Sequence, residues 1–185
     1  YIDQRRADTY TGTEVVSVGR NGLQSLVGEL NFELYSETFR EEEVLSVDLQ
    51  EDGIVEIPTL SEMPGYVAGD ELEPPPLTNY IRLSEGAGRS FQTVYSAAVN
   101  EEAGYLVFFP ERWVGNVTIQ RRPESNEWRF YKVDPVTDFA TTELLRIGVY
   151  SIRDYQDQFT KNYINLAERG LFQYKAYTPA TTSEP

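Results

Sequence analysis

DFATTELLRIGVYSIRDYQDQFTKNYINLAER, residues 138–169, is the stretch on which the class of fold turns. Leu145, Ile152, Phe159 and Leu166 recur every seven residues, and Val149, Tyr155 and Tyr163 fill the same stripe. Apolar residues at that spacing share one face of a helix. The spacing predicts an amphipathic helix from about Asp138 to Arg169, with Arg169 in its last turn and Gly170 at its C-terminal cap. Gly148 and its β-branched neighbours mark the place where such a helix would break. A stripe of Leu, Ile, Phe and Tyr must be buried against something, either the rest of the chain or a neighbouring subunit. Tyr is enriched at interfaces. Leu145, Val149, Ile152, Tyr155, Phe159, Tyr163 and Leu166 are therefore the interface candidates.

Upstream the period is two. Val15, Val16 and Val18 run into Gly19-Arg20-Asn21-Gly22, whose Asn-Gly pair signals a hairpin. Leu30, Phe32 and Leu34 alternate with Glu29, Asn31 and Glu33, the pattern of a half-buried strand. Leu23, Leu26, Val27 and Leu30 also fit a short helix. Leu45, Val47 and Leu49 alternate before Glu51-Asp52-Gly53, and residues 54–57 return as a second hairpin. Pro58 ends it or places it at a sheet edge. Residues 61–78 form a long connection with three consecutive prolines, Pro74 to Pro76, which favour a stiff extended segment. Strand patterns follow at 80–83, 91–99, 105–109, 114–120 and 128–133, with turn residues at 86–88, 100–104 and 124–127. About eight short, evenly spaced strands suggest a sandwich or barrel.

The expected fold is mainly β (α+β): an antiparallel β-sandwich or small barrel followed by the long C-terminal helix. The expected organisation is an N-terminal arm (1–12), a β-rich domain (13–135), the helix and a short latch (136–177), and a disordered tail (178–185). The first residue is Tyr1 rather than Met, so a preceding segment is expected.

Composition narrows the chemistry. The 185 residues include no histidine and no cysteine. Imidazole is the one side chain that ordinarily titrates near neutral pH, and thiolate is the soft nucleophile and metal ligand. Ser-His-Asp and Cys-His catalysis and zinc centres built on these groups therefore do not apply. Net charge is −14. Such a chain is repelled by phosphate backbones and anionic lipid, so no nucleic-acid partner is expected. No run is apolar and long enough to span a membrane. Of the 16 basic residues only Lys132, Lys161 and Lys175 are lysine. The arginine bias suits planar ion pairs within or between subunits, or reflects a GC-rich genome or salt-rich habitat.

Local motifs resolve mostly into structure. Gly86-Ala87-Gly88-Arg89-Ser90 begins like a phosphate loop but has no third glycine and no following helix, so it reads as a turn. Asp48, Gln50, Asp52 and Gly53 imitate a calcium loop, yet its twelfth position is Thr59 rather than a carboxylate, and no helices flank it. A hairpin turn explains these residues better than a surface calcium site using Glu51 and Asp52. Glu41-Glu42-Glu43 reads as a solvated or edge-protecting run. With 30 Asp and Glu residues, no one pair stands out as a glycosidase couple. Trp113, Trp128, Tyr95, Tyr105 and Tyr131 would stack sugars if exposed together, but alternating aromatics more often fill a core. Asn116-Val117-Thr118 is a glycan sequon of low specificity.

No catalytic, cofactor-binding or metal-binding residue is assigned. The expectation is a non-enzymatic structural subunit of a larger complex, acting through subunit contacts with copies of itself or with other proteins. A phage neck, tail or capsid protein of a virion is the setting expected. The second reading is an extracellular binding module, either a glycan binder or an accessory subunit of a surface complex. A carboxylate-dependent hydrolase is third.

Overall fold

The computed structural model describes residues 1–6, 10–41, 44–67, 69, 72–84, 89–153 and 162–179. They form three antiparallel sheets of three, four and five strands, arranged in two compact units. Unit 1 comprises Tyr1–Ser61, Leu77–Val99 and Leu106–Phe109; unit 2 comprises Glu62–Pro76, Asn100–Tyr105 and Pro110–Pro185.

In unit 1, β1 (Ile2–Arg6), β2 (Tyr10–Gly19) and β3 (Gly22–Val27) pair in chain order. The segment expected as an arm thus contains a strand, which pairs with β2 from Ile2 opposite Glu14 to Arg6 opposite Tyr10. The Gly19-Arg20-Asn21-Gly22 signal forms the β2–β3 hairpin, and Gly22 takes the positive φ of 99° that glycine tolerates. The second sheet follows chain order too: β4 (Ile57–Ser61), β5 (Leu77–Leu83), β6 (Phe91–Asn100) and β7 (Tyr105–Phe109). Pro58 lies in the edge strand β4, where its missing N–H interrupts no inner ladder.

One apolar cluster joins both sheets of unit 1. It contains Val15 of β2, Val27 of β3, Ile57 of β4, Ile81 of β5, and Leu34 and Tyr35. The unit is therefore sandwich-like, held by side chains each worth about 1.5–3 kcal/mol when fully buried. Leu34 and Tyr35 belong to the short helix α1 (Phe32–Ser36), preceded by a 3-10 turn at Glu29–Asn31. The half-buried strand expected over Leu30, Phe32 and Leu34 is thus replaced by helical turns. Leu34 and Tyr35 are buried while Leu30 and Phe32 are exposed. Phe39 meets Tyr35 edge-on at 4.9 Å and packs against Tyr10 at 4.4 Å. Gly12 lies beneath these rings, where a Cβ would stand 2.9 Å from the Tyr35 hydroxyl.

Unit 2 is built on β8 (Val117–Arg122), β9 (Glu127–Val133), β10 (Ala140–Ser151), β11 (Ile164–Arg169) and β12 (Phe172–Tyr177), in the order β11-β12-β10-β9-β8. The expected long C-terminal helix is absent from the described residues. Residues 140–151 are a strand paired with β9 on one side and β12 on the other. Two patterns are superimposed in this stretch. The seven-residue recurrence is real, but so is the alternation of Leu145, Ile147 and Val149. β-Branched and aromatic residues with Gly148 among them favour the extended form once two strands are available to pair. Gly170 caps no helix. With φ of 62° it turns the β11–β12 hairpin. Tyr155 and Phe159, and the tail from residue 180, lie outside the described residues. The turn at 86–88 and Glu42-Glu43 also lie outside them.

Candidate functional site

The five-stranded sheet has one apolar and one polar face, and register explains both. Ile119, Phe130 and Leu145 stand in one cross-strand row, and Trp128, Ile147 and Ala176 in another. Residues one step out of phase form the opposite face. Gln120, Arg129, Arg146 and Tyr177 make one row there, and Glu127, Gly148 and Lys175 the next.

Glu127 is the centre of that polar face, and only 6% of it is exposed. One carboxylate oxygen accepts the Tyr150 hydroxyl at 2.8 Å and the Tyr163 hydroxyl at 2.7 Å. The other accepts two N–H groups of Arg129, at 2.8 and 3.1 Å, and the Ser125 hydroxyl at 3.3 Å. Tyr150 reaches across from β10 because Gly148 leaves room. A Cβ at Gly148 would collide with the Tyr150 ring and hydroxyl. Burial pushes the Glu127 pKa up, but the Tyr163 phenol, Arg129 and the Tyr150 phenol together hold it below the ordinary carboxylate value. Burial, and then the Glu127 charge, push Tyr150 and Tyr163 above the usual phenol value. The group is an ionised carboxylate held by the Arg129 cation and by neutral hydroxyl donors, and it ties β9 to β10 and to Tyr163.

The same face continues through Glu143, which accepts from Arg146 and from the Tyr131 hydroxyl. Arg146 lies over the Tyr177 ring at 5.2 Å, and Tyr177 stacks on Tyr163 at 5.3 Å.

Unit 1 treats its buried charges likewise. Fully buried Glu56 bonds to Arg82 and accepts the Leu49 N–H at 2.8 Å. Arg82 also reaches Gln50 and Asp52. The calcium-like loop therefore closes around a guanidinium supplied by β5, while Asp48 accepts from the backbone of Asp52 and Gly53. Buried Arg40 donates to Asp3 at 2.9 Å, to Thr13 and to the carbonyls of Thr38 and Val44. Asp3 in turn accepts from Thr13 and from both Ser46 donors. Burial raises its pKa, yet these donors leave it below the usual aspartate value. Among the described residues no group of three acidic side chains is placed to hold a metal ion.

The interface candidates among the described residues do not form one helical stripe. Leu145 and Val149 are half-buried in β10, Ile152 is exposed just beyond it, Tyr163 joins the Glu127 network, and Leu166 is exposed on β11. The candidate sugar platform is not assembled either. Trp128 is buried beside Tyr105, Trp113 is half-buried against Phe130, and Tyr131 stands on the opposite face of β9 from Trp128. Tyr95 belongs to unit 1 and packs on Phe108. Burial pushes the Tyr105 pKa up to about 12.

Two hairpins carry the most exposed apolar surface in strands. Val18 and Leu23 face each other across β2–β3 with 82% and 77% exposure. On the β11–β12 hairpin every residue of β11 is exposed, and Ile164, Leu166, Leu171 and Phe172 are each at least half exposed. The Asn-Gly turn marks the β2–β3 hairpin in the sequence, but a helical stripe does not pick out its exposed face, because its pattern is strand-like. The signal available was the absence of acid from residues 15–28 of so acidic a chain.

No helix of the described residues is long and apolar enough to cross a membrane. No protein family, curated protein or solved structure matches the chain.

Proposed function

We propose that the chain is a non-enzymatic structural subunit of a larger assembly, a virion being the setting, and that it works through contacts with other protein subunits. The observation that carries this reading is the pairing of exposed apolar surface with low acidity on the two hairpins. Residues 15–28 hold one arginine and no acid, and residues 163–177 hold one acid against two bases, in a chain of net charge −14. Large apolar side chains side by side on strands are poorly placed in water and well placed against another protein. The state of the buried carboxylates supports the non-enzymatic part of the reading. Glu56 and Glu127 are each engaged by arginine and further donors, and the Glu127 pKa is lowered rather than raised toward neutrality.

Sedimentation velocity over a wide loading range tests the proposal. The expected result is a concentration-dependent species heavier than the 21.2 kDa chain. A single monomeric species at the highest concentration overturns it.

A further inference from the structure

We infer that β3 is a self-association edge, at which two copies of the chain join antiparallel β3 strands about a two-fold axis through Gln24. This rests on the assembly reading and names its surface and symmetry.

β3 is the end strand of its sheet, and Gly22, Leu23, Gln24 and Ser25 are all exposed. The two-residue connection makes Gly19 and Gly22 the first hydrogen-bonded rung, and alternation makes Ser17 and Gln24 the next. Leu23 and Ser25 consequently turn their backbone N–H and C=O groups away from β2, as a template for another strand.

Charge selects a second copy as the occupant. At a two-fold contact each residue lies near its own image, so any charge near the axis repels itself. β3 carries no ionisable side chain over Gly22–Val27, in a chain whose net charge of −14 opposes self-contact elsewhere. The other sheet ends are less suited. β1 carries Asp3 and Arg5, β8 carries Arg121 and Arg122, β11 carries Glu168 and Arg169, and β4 contains Pro58. β7 exposes only Leu106 and Phe108, against four consecutive exposed residues in β3.

Backbone parity then sets the register. Leu23 pairs with Ser25 of the second copy, and Gln24 stands opposite its own image in a non-hydrogen-bonded pair, where side chains are closest. A primary amide both donates and accepts, so two Gln24 side chains complement one another across the axis. Edge pairing over the five residues Gly22–Leu26 buries less than a standard interface, so the dimer is weak and concentration-dependent.

The test uses the full chain and its lack of native cysteine. Gln24→Cys is expected to oxidise to a disulfide dimer about tenfold faster than the exposed control Thr137→Cys, because the pairing raises its effective concentration. Gln24→Glu and Gln24→Lys are each expected to lower the dimer fraction in sedimentation, and mixing them to restore it as a heterodimer. Oxidation at the control rate, or either charged variant dimerising like the parent, overturns the β3 edge. If the parent is oligomeric and the Gln24 variants are indifferent, the β3 edge alone falls. If the parent is monomeric throughout, the assembly reading falls with it.

Discussion

Glu127 and Leu23 both sit on the unexpected side of the protein surface, and the chain treats them differently. The carboxylate is buried, and two phenols, an arginine and a serine converge on it. The leucine is exposed beside an equally exposed valine. Buried Glu56 and Arg40 are likewise satisfied within the chain. Exposed apolar surface is left for something else to cover. On the proposed assembly reading, the interior networks serve stability and the exposed hairpins serve association.

The largest effect that sharpens this contrast is expected at Asp3. Asp3→Ala removes the carboxylate facing the buried Arg40 guanidinium, and breaking such a pair from one side costs about 3–5 kcal/mol. Urea denaturation checks it, and Asp3→Asn, which keeps part of the hydrogen bonding, should recover part of the loss. Tyr150→Phe and Tyr163→Phe each remove one donor to the ionised Glu127, for about 1.5–3 kcal/mol apiece. A double-mutant cycle should find them coupled, because both phenols serve one oxygen.

The pH dependence follows from the same groups. Glu127 and Asp3 have folded pKa values below their ordinary 4.5 and 3.8, so their stabilisation is present above those values and is lost as pH falls through the lowered ones. Tyr150 and Tyr163 are raised above 10.0, so their contribution is present below that value and is lost as pH climbs through the raised ones. Denaturation midpoints between pH 3 and 11 should therefore trace a plateau that falls at both ends. The Tyr150→Phe, Tyr163→Phe double variant should lose much of the alkaline fall. The smallest stability effect is expected on the surface. Val18→Ser with Leu23→Ser should change the unfolding free energy of the monomer by roughly 0.5 kcal/mol or less per site.

Much of the β architecture was legible in the sequence. Strand patterns near 80–83, 91–99, 105–109 and 128–133 lie within β5, β6, β7 and β9, because alternation and turn residues agreed there. The seven-residue recurrence over 138–169 overlaps a two-residue alternation in residues 140–151, and pairing of 140–151 with β9 and β12 selects the strand there. Leu30, Phe32 and Leu34 misled in the opposite direction. Their alternation resembles a strand, yet packing of Leu34 and Tyr35 into the apolar cluster holds a helical turn. The Glu127 network was not legible, since its members lie up to 36 residues apart. In the sequence Gly148 fits a helix break, whereas in the sheet it leaves space for the Tyr150 ring.

The most direct test compares the parent chain with the variant Val18→Ser, Leu23→Ser, Ile164→Ser, Phe172→Ser by sedimentation and thermal unfolding under matched conditions. The parent is expected to self-associate, and the variant to stay monomeric and folded with a similar monomer stability. Association that persists in the variant, or a parent that never associates, contradicts this expectation.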